Sequence, residues 1–467
     1  MDNACRSETI CAIATPIGIG GIGIIKISGP DALILLQKIF RPARATFIQP
    51  PSHKLIYGWI VDPKTGNLID EVLASYMAGP RSYTGEDVVE INCHSGYAVL
   101  RRILDLVLAH GARLARPGEF TLRAFWHGRL DLSQAEAVLD VIHARSDKAL
   151  EAAGKQLRKG FGEQVLRWRE DVLELEAQLE AFMDFSEDLE AEDASALEAV
   201  AHHVERNVLP ALRRIVDRYE EARVLREGLS MVLVGKPNVG KSSLLNALVG
   251  QERAIVTPIA GTTRDVIEDG FLVKGVWVRV LDTAGIREKP DMIESLGIER
   301  TLRSVEEADV VVWIVDQSRP LDADDDRIEE KTRHKRRLVV LNKRDCPMET
   351  DAEDLRARYG LRDAIVHLCA HDPDDIERWK RFLETEVLED IFLGLEPAYA
   401  VNARHKECLE RAVTALERAV QAARTQGLPE LVSEDVRAAR AALEEILGLH
   451  VDDAVLDRIF ARFCIGK

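Results

Sequence analysis

The segment at residues 235–243, GKPNVGKSS, constrains this chain more than any other part of it. It fits the phosphate-binding pattern G-x-x-x-x-G-K-[ST]. An apolar run at 229–234 predicts a buried strand before the segment, and residues 243–248 predict a helix after it. Glycines let backbone N–H groups face phosphate oxygens, and a helix N-terminus adds partial positive charge. The flanking elements therefore favour a phosphate site over a chance glycine-rich turn.

Three later segments extend this site in a consistent order. GTTRD at 261–265 comes first, DTAG at 282–285 then ends an apolar strand at 276–281, and NKRD at 342–345 follows a further strand. Lys241 is predicted to reach the β- and γ-phosphates, and the hydroxyls of Ser242 and Thr263 are predicted to ligate magnesium.

The base is predicted from the last of these segments. The carboxylate of Asp345 can accept hydrogen bonds from guanine N1 and N2, a donor pair that adenine lacks. Any one segment could be an ordinary turn, but their common order predicts that the chain binds GTP.

The residue after DTAG raises a question about hydrolysis. Many small GTPases place a glutamine there to orient the attacking water, and this chain has Ile286, which has no polar side-chain atom. Either hydrolysis is very slow, or another group holds the water. Glu288, Glu294 and Glu299 follow, and each could equally be an exposed helix carboxylate.

Length and composition set broad limits. At 467 residues the chain is long enough for about three domains. Its net charge of −17 argues against broad, nonspecific coating of nucleic acid, but not against a local basic site. Seven cysteines without a C-x-x-C pair favour reduced thiols in a cytoplasm. The sequence contains no run of about 18 apolar residues, so no membrane span is expected.

Helical periodicity appears on both sides of the nucleotide segments. Ser133 and Glu136 are predicted to form a capping box that opens a long helical region. An apolar stripe runs from Val165 to Phe182, and further stripes lie at 409–423 and 436–446. We expect one helical bundle carrying an inserted α/β domain, whose nucleotide state could be transmitted to the bundle.

Several further motifs, spread over the whole chain, resemble one family, the tRNA uridine-modifying GTPases called MnmE or TrmE. The motifs are AIATP at 12–16, GGIG at 20–23, ISG at 27–29, SYTGEDVVE at 82–90, RPGEF at 116–120, LDLSQAEA at 130–137 and the terminal FCIGK at 463–467. The loop alone would fit many GTPases, whereas its combination with this terminus is typical of this family.

The resemblance implies a fold of several domains, α/β together with α. These would be an N-terminal α+β folate-binding and dimerisation domain (1–122), a helical bundle in two parts (123–225 and 391–467) and an inserted Ras-like P-loop GTPase domain (226–390) with a parallel-rich sheet. It implies a cytoplasmic homodimer that acts with the flavoprotein MnmG (GidA) in a heterotetramer, in which FAD belongs to the partner. Together they would add a carboxymethylaminomethyl or aminomethyl group to C5 of the wobble uridine of certain tRNAs.

The resemblance also implies a site for a tetrahydrofolate derivative as one-carbon donor. Its contacts would come from Lys26, Glu90, Arg129 and Lys467. Cations suit the folate carboxylates, and a glutamate suits the N–H donors of the pterin edge. The family has arginine at the first position, so Lys26 lacks the forked geometry. Cys464 could be a nucleophile towards uridine or a small buried residue that seats the terminus.

The resemblance further implies that potassium, bound when two nucleotide domains meet, supplies the charge that an arginine finger would supply elsewhere. Glu294 would orient the water, Ser242 and Thr263 would hold magnesium, and potassium ligands would come from Asn238, Thr257, Ile259 and Thr262. The full set predicted to bind nucleotide is Asn238, Val239, Gly240, Lys241, Ser242, Ser243, Thr257, Pro258, Ile259, Ala260, Gly261, Thr262, Thr263, Asp282, Thr283, Ala284, Gly285, Asn342, Lys343, Asp345, Cys369, Ala370 and His371.

One loop departs from the family pattern. Cys369 stands where relatives have serine, and the usual glycine is absent after it. The backbone amide of Ala370 can still donate to guanine O6, so guanine selectivity is expected to persist. Two other functions remain open at this point: a regulatory or ribosome-assembly GTPase, which usually carries a strongly basic appendage, and a one-carbon transfer enzyme with a regulatory GTPase domain.

Overall fold

The computed structural model describes residues 8–18, 20–44, 50–185, 190–250, 270–281, 303–389, 399–425 and 428–467. The N-terminal part is built on a seven-stranded sheet of order β3-β4-β5-β6-β2-β1-β7, antiparallel except where β1 pairs with β7. Its strands are β1 (Ile10–Ile13), β2 (Gly23–Ser28), β3 (Phe40–Pro42), β4 (Lys54–Val61), β5 (Leu68–Met77), β6 (Val88–Cys93) and β7 (Arg113–Leu114).

One face of this sheet is covered by helices α1 (Ala32–Ile39) and α2 (Tyr97–Ala109). Strand β4 shows why: Ile56, Gly58 and Ile60 are buried, while Leu55 and Tyr57 on the opposite face are exposed. This alternation is typical of a sheet with one face against the core. Helix α3 (Glu119–Trp126) follows β7 and leads into the helical region.

The helical region contains side chains from both sides of the nucleotide segments in one apolar core. Val165, Trp168, Val172, Leu175 and Leu179 are buried in it together with the stripes at 409–423 and 436–446. The helices are α4 (Leu132–His143), α5 (Asp147–Leu157), α6 (Gly160–Phe185), α7 (Glu190–His203), a π-helical turn (Val204–Val208), α8 (Leu209–Asp217) and α9 (Tyr219–Glu227) before the nucleotide segments, and α14 (Ala403–Thr425), α15 (Pro429–Leu447) and α16 (Asp453–Phe460) after them.

Between α9 and α14 lies a six-stranded sheet of order β13-β12-β11-β8-β10-β9, parallel except where β9 pairs with β10. Strands β8, β11 and β12 are buried along their whole length, as expected for parallel strands with both faces covered. The elements are β8 (Leu229–Val234), α10 (Lys241–Gly250), β9 (Gly270–Val273), β10 (Val276–Leu281), β11 (Val310–Asp316), α11 (Ala323–Thr332), β12 (Arg337–Asn342), α12 (Ala352–Tyr359), β13 (Ala364–His367), α13 (Pro373–Leu383) and a π-helical turn (Glu384–Leu388).

The predicted capping box of Ser133 and Glu136 is wrong. The cap of α4 is Asp131, whose carboxylate accepts from the Gln134 amide at 2.8 Å, while Gln134 accepts from the Asp131 amide. Glu136 instead lies inside the protein, where it accepts hydrogen bonds from Arg404 and bonds His405, both at 2.7 Å. Its tertiary partners therefore override its expected role at the helix start. Within the described ranges, no helix combines the length and apolarity that a membrane crossing requires.

Candidate functional site

The phosphate loop joins the end of β8 to the start of α10, as the sequence predicts. Two glycines allow close backbone approach. A Cβ at Gly235 (φ 154°) would lie 2.4 Å from the Ile314 carbonyl oxygen, and one at Gly240 (φ 102°) would lie 2.1 Å from the Asn342 amide nitrogen. Asn238 at the loop tip also has a positive φ of 63°. The two glycine positions have no room for a side chain, so any other residue type there would force the loop to move.

Lys241 extends back across this loop. Its ammonium donates to the carbonyl oxygens of Gly235 at 2.6 Å and Lys236 at 2.7 Å. Burial lowers its pKa from 10.5 to about 8, because the charged form loses contact with water. An anionic group in the cradle would favour the ammonium form and reverse that shift.

A single side chain ties the phosphate loop to the loop predicted to contact the base. Asn342, which is buried at the end of β12, donates to the Val239 carbonyl at 2.7 Å and accepts from the Ala370 amide at 3.1 Å. The amide expected to read guanine O6 thus donates to Asn342 in this structure. The structure brings the segments around 239, 342 and 370 into one site.

The neighbouring side chains complete the base-proximal region. Lys343, at a positive φ of 67°, pairs with the buried Asp316 at 2.5 Å. Burial raises the pKa of the Cys369 thiol, and a hydrogen bond to the nearby carboxylate of Asp345 raises it further. Asp345 itself is exposed, as is His371.

The remaining predicted nucleotide residues lie outside the described residues, and so does the predicted catalytic glutamate. They are Thr257, Pro258, Ile259, Ala260, Gly261, Thr262, Thr263, Asp282, Thr283, Ala284, Gly285 and Glu294. Among the residues that are described, no cluster of three or more histidine, cysteine, aspartate or glutamate side chains could hold a metal ion. Magnesium and potassium were predicted on hydroxyl, amide and carbonyl oxygens instead, and two of these, on Asn238 and Ser242, belong to exposed residues.

The predicted folate residues meet around one aromatic ring on the N-terminal sheet. Lys26 on β2 lies opposite Glu90 on β6, and their charged groups are 3.7 Å apart. The Lys26 ammonium also lies over the rings of Tyr83, at 5.3 Å, and Phe120, at 5.5 Å. Burial lowers the pKa of Lys26, Glu90 partly opposes this, and the charge of Lys467 lowers the pKa further.

Arg129 and the chain terminus approach the same place. The Arg129 guanidinium lies 5.1 Å from the centre of the Tyr83 ring and donates to the Tyr83 carbonyl at 2.7 Å. The terminal segment runs beside β1, since a Cβ at Gly466 would lie 2.7 Å from the Ile13 carbonyl oxygen. Cys464 is exposed, so the interpretation of this residue as a buried seat for the terminus is wrong.

Comparison with known proteins identifies the family. The helical domain of MnmE matches residues 132–464, and the N-terminus of the GTP-binding protein TrmE matches residues 9–129. A tRNA modification GTPase MnmE from Syntrophobacter fumaroxidans is 52% identical over 464 residues, which is 98% of each chain. The chain belongs to the MnmE family.

A second relative agrees with this identification. The MnmE of Carboxydothermus hydrogenoformans is 42% identical over 462 residues, covering 98% of this chain and 99% of that one. The solved G-domain of FeoB from Methanococcus jannaschii covers 34% of this chain and 97% of its own, with 24% identity and a TM-score of 0.25. The family predicted from the sequence motifs is confirmed, and the MnmE helical and N-terminal regions are present.

Two contacts in this MnmE family member were not predicted from the sequence. Tyr83 belongs to a motif that carried the resemblance, but its ring contact with Lys26 joins residues far apart in the chain. Lys236 in the phosphate loop pairs with Asp325 at 2.6 Å and Asp322 at 2.9 Å, which ties the loop to the start of α11. The acidic residues in the first turn of α11 are the sequence signal that could have indicated such a partner.

Proposed function

We propose that this chain is a GTP-hydrolysing component of an enzyme that modifies C5 of the wobble uridine in tRNA. The proposal depends chiefly on one observation: Asn342 joins the phosphate cradle to the base-proximal loop, in a chain that matches tRNA modification GTPases along almost its whole length. The domains are those expected above: 1–122, the two-part bundle 123–225 and 391–467, and the GTPase insertion 226–390.

The nucleotide site acts by placing charge and donors around the phosphates. The loop amides and the N-terminus of α10 bind the phosphate oxygens, and Lys241 exchanges its loop carbonyls for the β- and γ-phosphates. Ser242 and Thr263 would hold magnesium, which would supply positive charge to offset that of the phosphates. Asp345 selects guanine, with Asn342 fixing the distance between the base and phosphate loops.

Hydrolysis uses Glu294 to orient the attacking water, because Ile286 has no group for this task. Asn238, Thr257, Ile259 and Thr262 would hold potassium, which supplies positive charge beside the phosphates. The exposed Asn238 at the tip of the cradle fits a cation shared with a facing nucleotide domain of a homodimer. GTPase activity therefore depends on pairing of two nucleotide domains.

The cluster around Tyr83 would hold a tetrahydrofolate derivative, which would supply the one-carbon unit. Lys26 lies beside Glu90, and the charge of Lys467 acts on Lys26 and lowers its pKa, so an added ligand carboxylate would be favourable beside these two cations. Arg129 provides a further cation at the same ring. The uridine chemistry also needs a flavoprotein partner of the MnmG type, and the complex acts on tRNA in the cytoplasm.

Turnover in potassium against sodium tests the paired-domain mechanism. At matched ionic strength, GTP turnover should be much faster in potassium and should rise with protein concentration, because pairing is bimolecular. Asn238→Ala should lose the potassium response. Equal rates in the two salts would contradict potassium-dependent pairing, whereas loss of modified wobble uridine on deletion of the chain tests the tRNA function separately.

The role of Glu294 has its own test. Glu294→Ala should lower turnover by about 100-fold or more, the size expected when a positioned catalytic group is removed, and should leave GTP affinity nearly unchanged. Glu299→Ala is the matched control and should behave as wild type. Single-turnover hydrolysis and nucleotide titration measure both quantities, and normal turnover in Glu294→Ala would reject the assignment.

A further inference from the structure

The turn of the β9–β10 hairpin touches the helical domain. Gly275 in this turn has a φ of 75°, and a Cβ there would lie 3.5 Å from Cγ of Lys148 on helix α5. Lys274 beside it, also at positive φ, forms an ion pair with Glu384. Burial and the charge of Lys274 lower the pKa of Lys148, which agrees with close contact between helix and turn. The turn is thus seated against α5.

Trp277, two residues further on, makes a second contact with the helical domain. The guanidinium of Arg145, just before α5, lies 5.5 Å from the centre of the indole ring. Trp277 also lies against Gly228, the residue that connects α9 to β8: a Cβ there would be 2.5 Å from the Trp277 carbonyl oxygen and 3.1 Å from its Cδ1. One residue therefore contacts both the helical domain and the connection into the nucleotide sheet.

The other end of this hairpin adjoins the nucleotide site. Strand β10 ends at Leu281, directly before the predicted Asp282, and pairs in parallel with β8, which leads into the phosphate loop. Strand β9 begins shortly after the predicted segment 257–263. From Trp277 to Leu281 the strand spans about 13 Å, at about 3.3 Å per residue. The hairpin thus reaches from α5 to Leu281, the residue directly before the predicted Asp282.

We propose that the β9–β10 hairpin carries the nucleotide state of the GTPase domain to the helical domain, through the contacts of Trp277 with Arg145 and of Gly275 with Lys148. The proposal deepens the proposed function, since it names the element that couples GTP to the rest of the molecule. A shift of β10 that accompanies nucleotide exchange would change how its far end meets α5. The contact is then stronger in one nucleotide state than in the other.

Thermodynamic linkage gives the test. A contact that differs between two nucleotide states must also bias their relative affinities. In the full-length chain, Arg145→Ala should change the ratio of the dissociation constants for GDP and a non-hydrolysable GTP analogue by about two- to fivefold, the range of an exposed cation–π contact. Lys155→Ala is the matched control on the same helix, because Lys155 pairs locally with Glu151. It should leave the ratio unchanged.

Hydrogen exchange supplies a second measurement, whose first comparison uses the wild type alone. In the wild type, the amides of α5 should exchange at different rates with GDP and with the GTP analogue, and Arg145→Ala should reduce that difference. Equal exchange of α5 in both states, or an unchanged affinity ratio in Arg145→Ala, would overturn the proposal. Neither measurement uses tRNA, so a failure of the tRNA function would be seen separately, as absent wobble modification in the wild type.

Discussion

At the scale of single residues, the nucleotide site is organised by Lys241 and Asn342. Both side chains bond main-chain carbonyls of the phosphate loop, Lys241 through Gly235 and Lys236, and Asn342 through Val239. The loop conformation is thus held by side chains that the sequence pattern already marks as nucleotide ligands. Because the same side chains shape the loop and are predicted to bind the nucleotide, substitutions of Lys241 or Asn342 should affect nucleotide affinity more than the free energy of unfolding.

The lowered pKa of Lys241 predicts a pH dependence of nucleotide binding. Its pKa is about 8 in the protein alone, and phosphate beside it favours the charged form, so binding takes up a proton above that pH. GDP affinity should be full below pH 8 and should fall as pH rises, by at most about tenfold per unit. Titrations between pH 7 and 9 measure this. Lys241→Arg, which does not titrate there, should bind with a flatter profile, and equal profiles would contradict the assignment.

How far the sequence predicts these residues depends on the kind of contact. Lys241 and Asn342 lie in local motifs whose spacing is a property of one turn, so both could be placed before the structure was known. The ring of Tyr83 meets Lys26 and Arg129 only because three separate segments converge on it. Such a convergence depends on the register of the whole sheet, which no local pattern records.

At the scale of elements, the strands of the nucleotide sheet were the easiest to predict. Strands β8 and β10 have the predicted bounds, because both sequences are mostly apolar. Strand β8 is buried throughout, as expected for a central parallel strand, whereas β10 alternates between buried and partly buried residues. The start of α4 was harder. Its cap is Asp131 and not the predicted Ser133, and Glu136, which was predicted to complete the box, bonds Arg404 and His405 on α14, far away in the chain.

Those partners of Glu136 predict a stability effect. Burial acts to raise the pKa of Glu136, but the charges of His405 and Arg404 outweigh it and hold the pKa well below its ordinary value. Glu136→Ala should lower the free energy of unfolding by about 3–5 kcal/mol, because it leaves a buried guanidinium without its carboxylate. Chemical denaturation followed by circular dichroism measures this loss.

The lowered pKa of Glu136 also predicts how the stability of the fold depends on pH. A carboxyl with a lowered pKa stabilises the fold above its unfolded-state pKa, and this stabilisation is lost as pH falls.

The matched control for Glu136→Ala is Glu410→Ala, which removes an exposed ion pair with Lys406 and should lower the free energy of unfolding by no more than about 1 kcal/mol. Similar losses in both variants would show that Glu136 does not join α4 to α14 in the way described.

At the scale of the whole molecule, the nucleotide sheet has apolar clusters of its own on both faces, separate from the core of the helical bundle. We therefore expect at least two thermal transitions. Saturating GDP with magnesium should raise the transition temperature of the GTPase insertion only. At a hundredfold excess of ligand over the dissociation constant, the free energy of unfolding of the insertion should increase by about 2.7 kcal/mol. Calorimetry of the full chain tests this, with Lys241→Ala as a variant that should lose the shift. Equal shifts of all transitions would mean that the insertion does not unfold as a unit.

The divided helical core has a consequence during synthesis. The apolar stripe of α6 leaves the ribosome long before α14 and α15, which complete its core. At about 5–20 residues per second, the nascent stripe waits on the order of ten seconds or more for these helices. During that interval the GTPase insertion can fold first, while the waiting half of the bundle is the segment that chaperones would have to shield from aggregation.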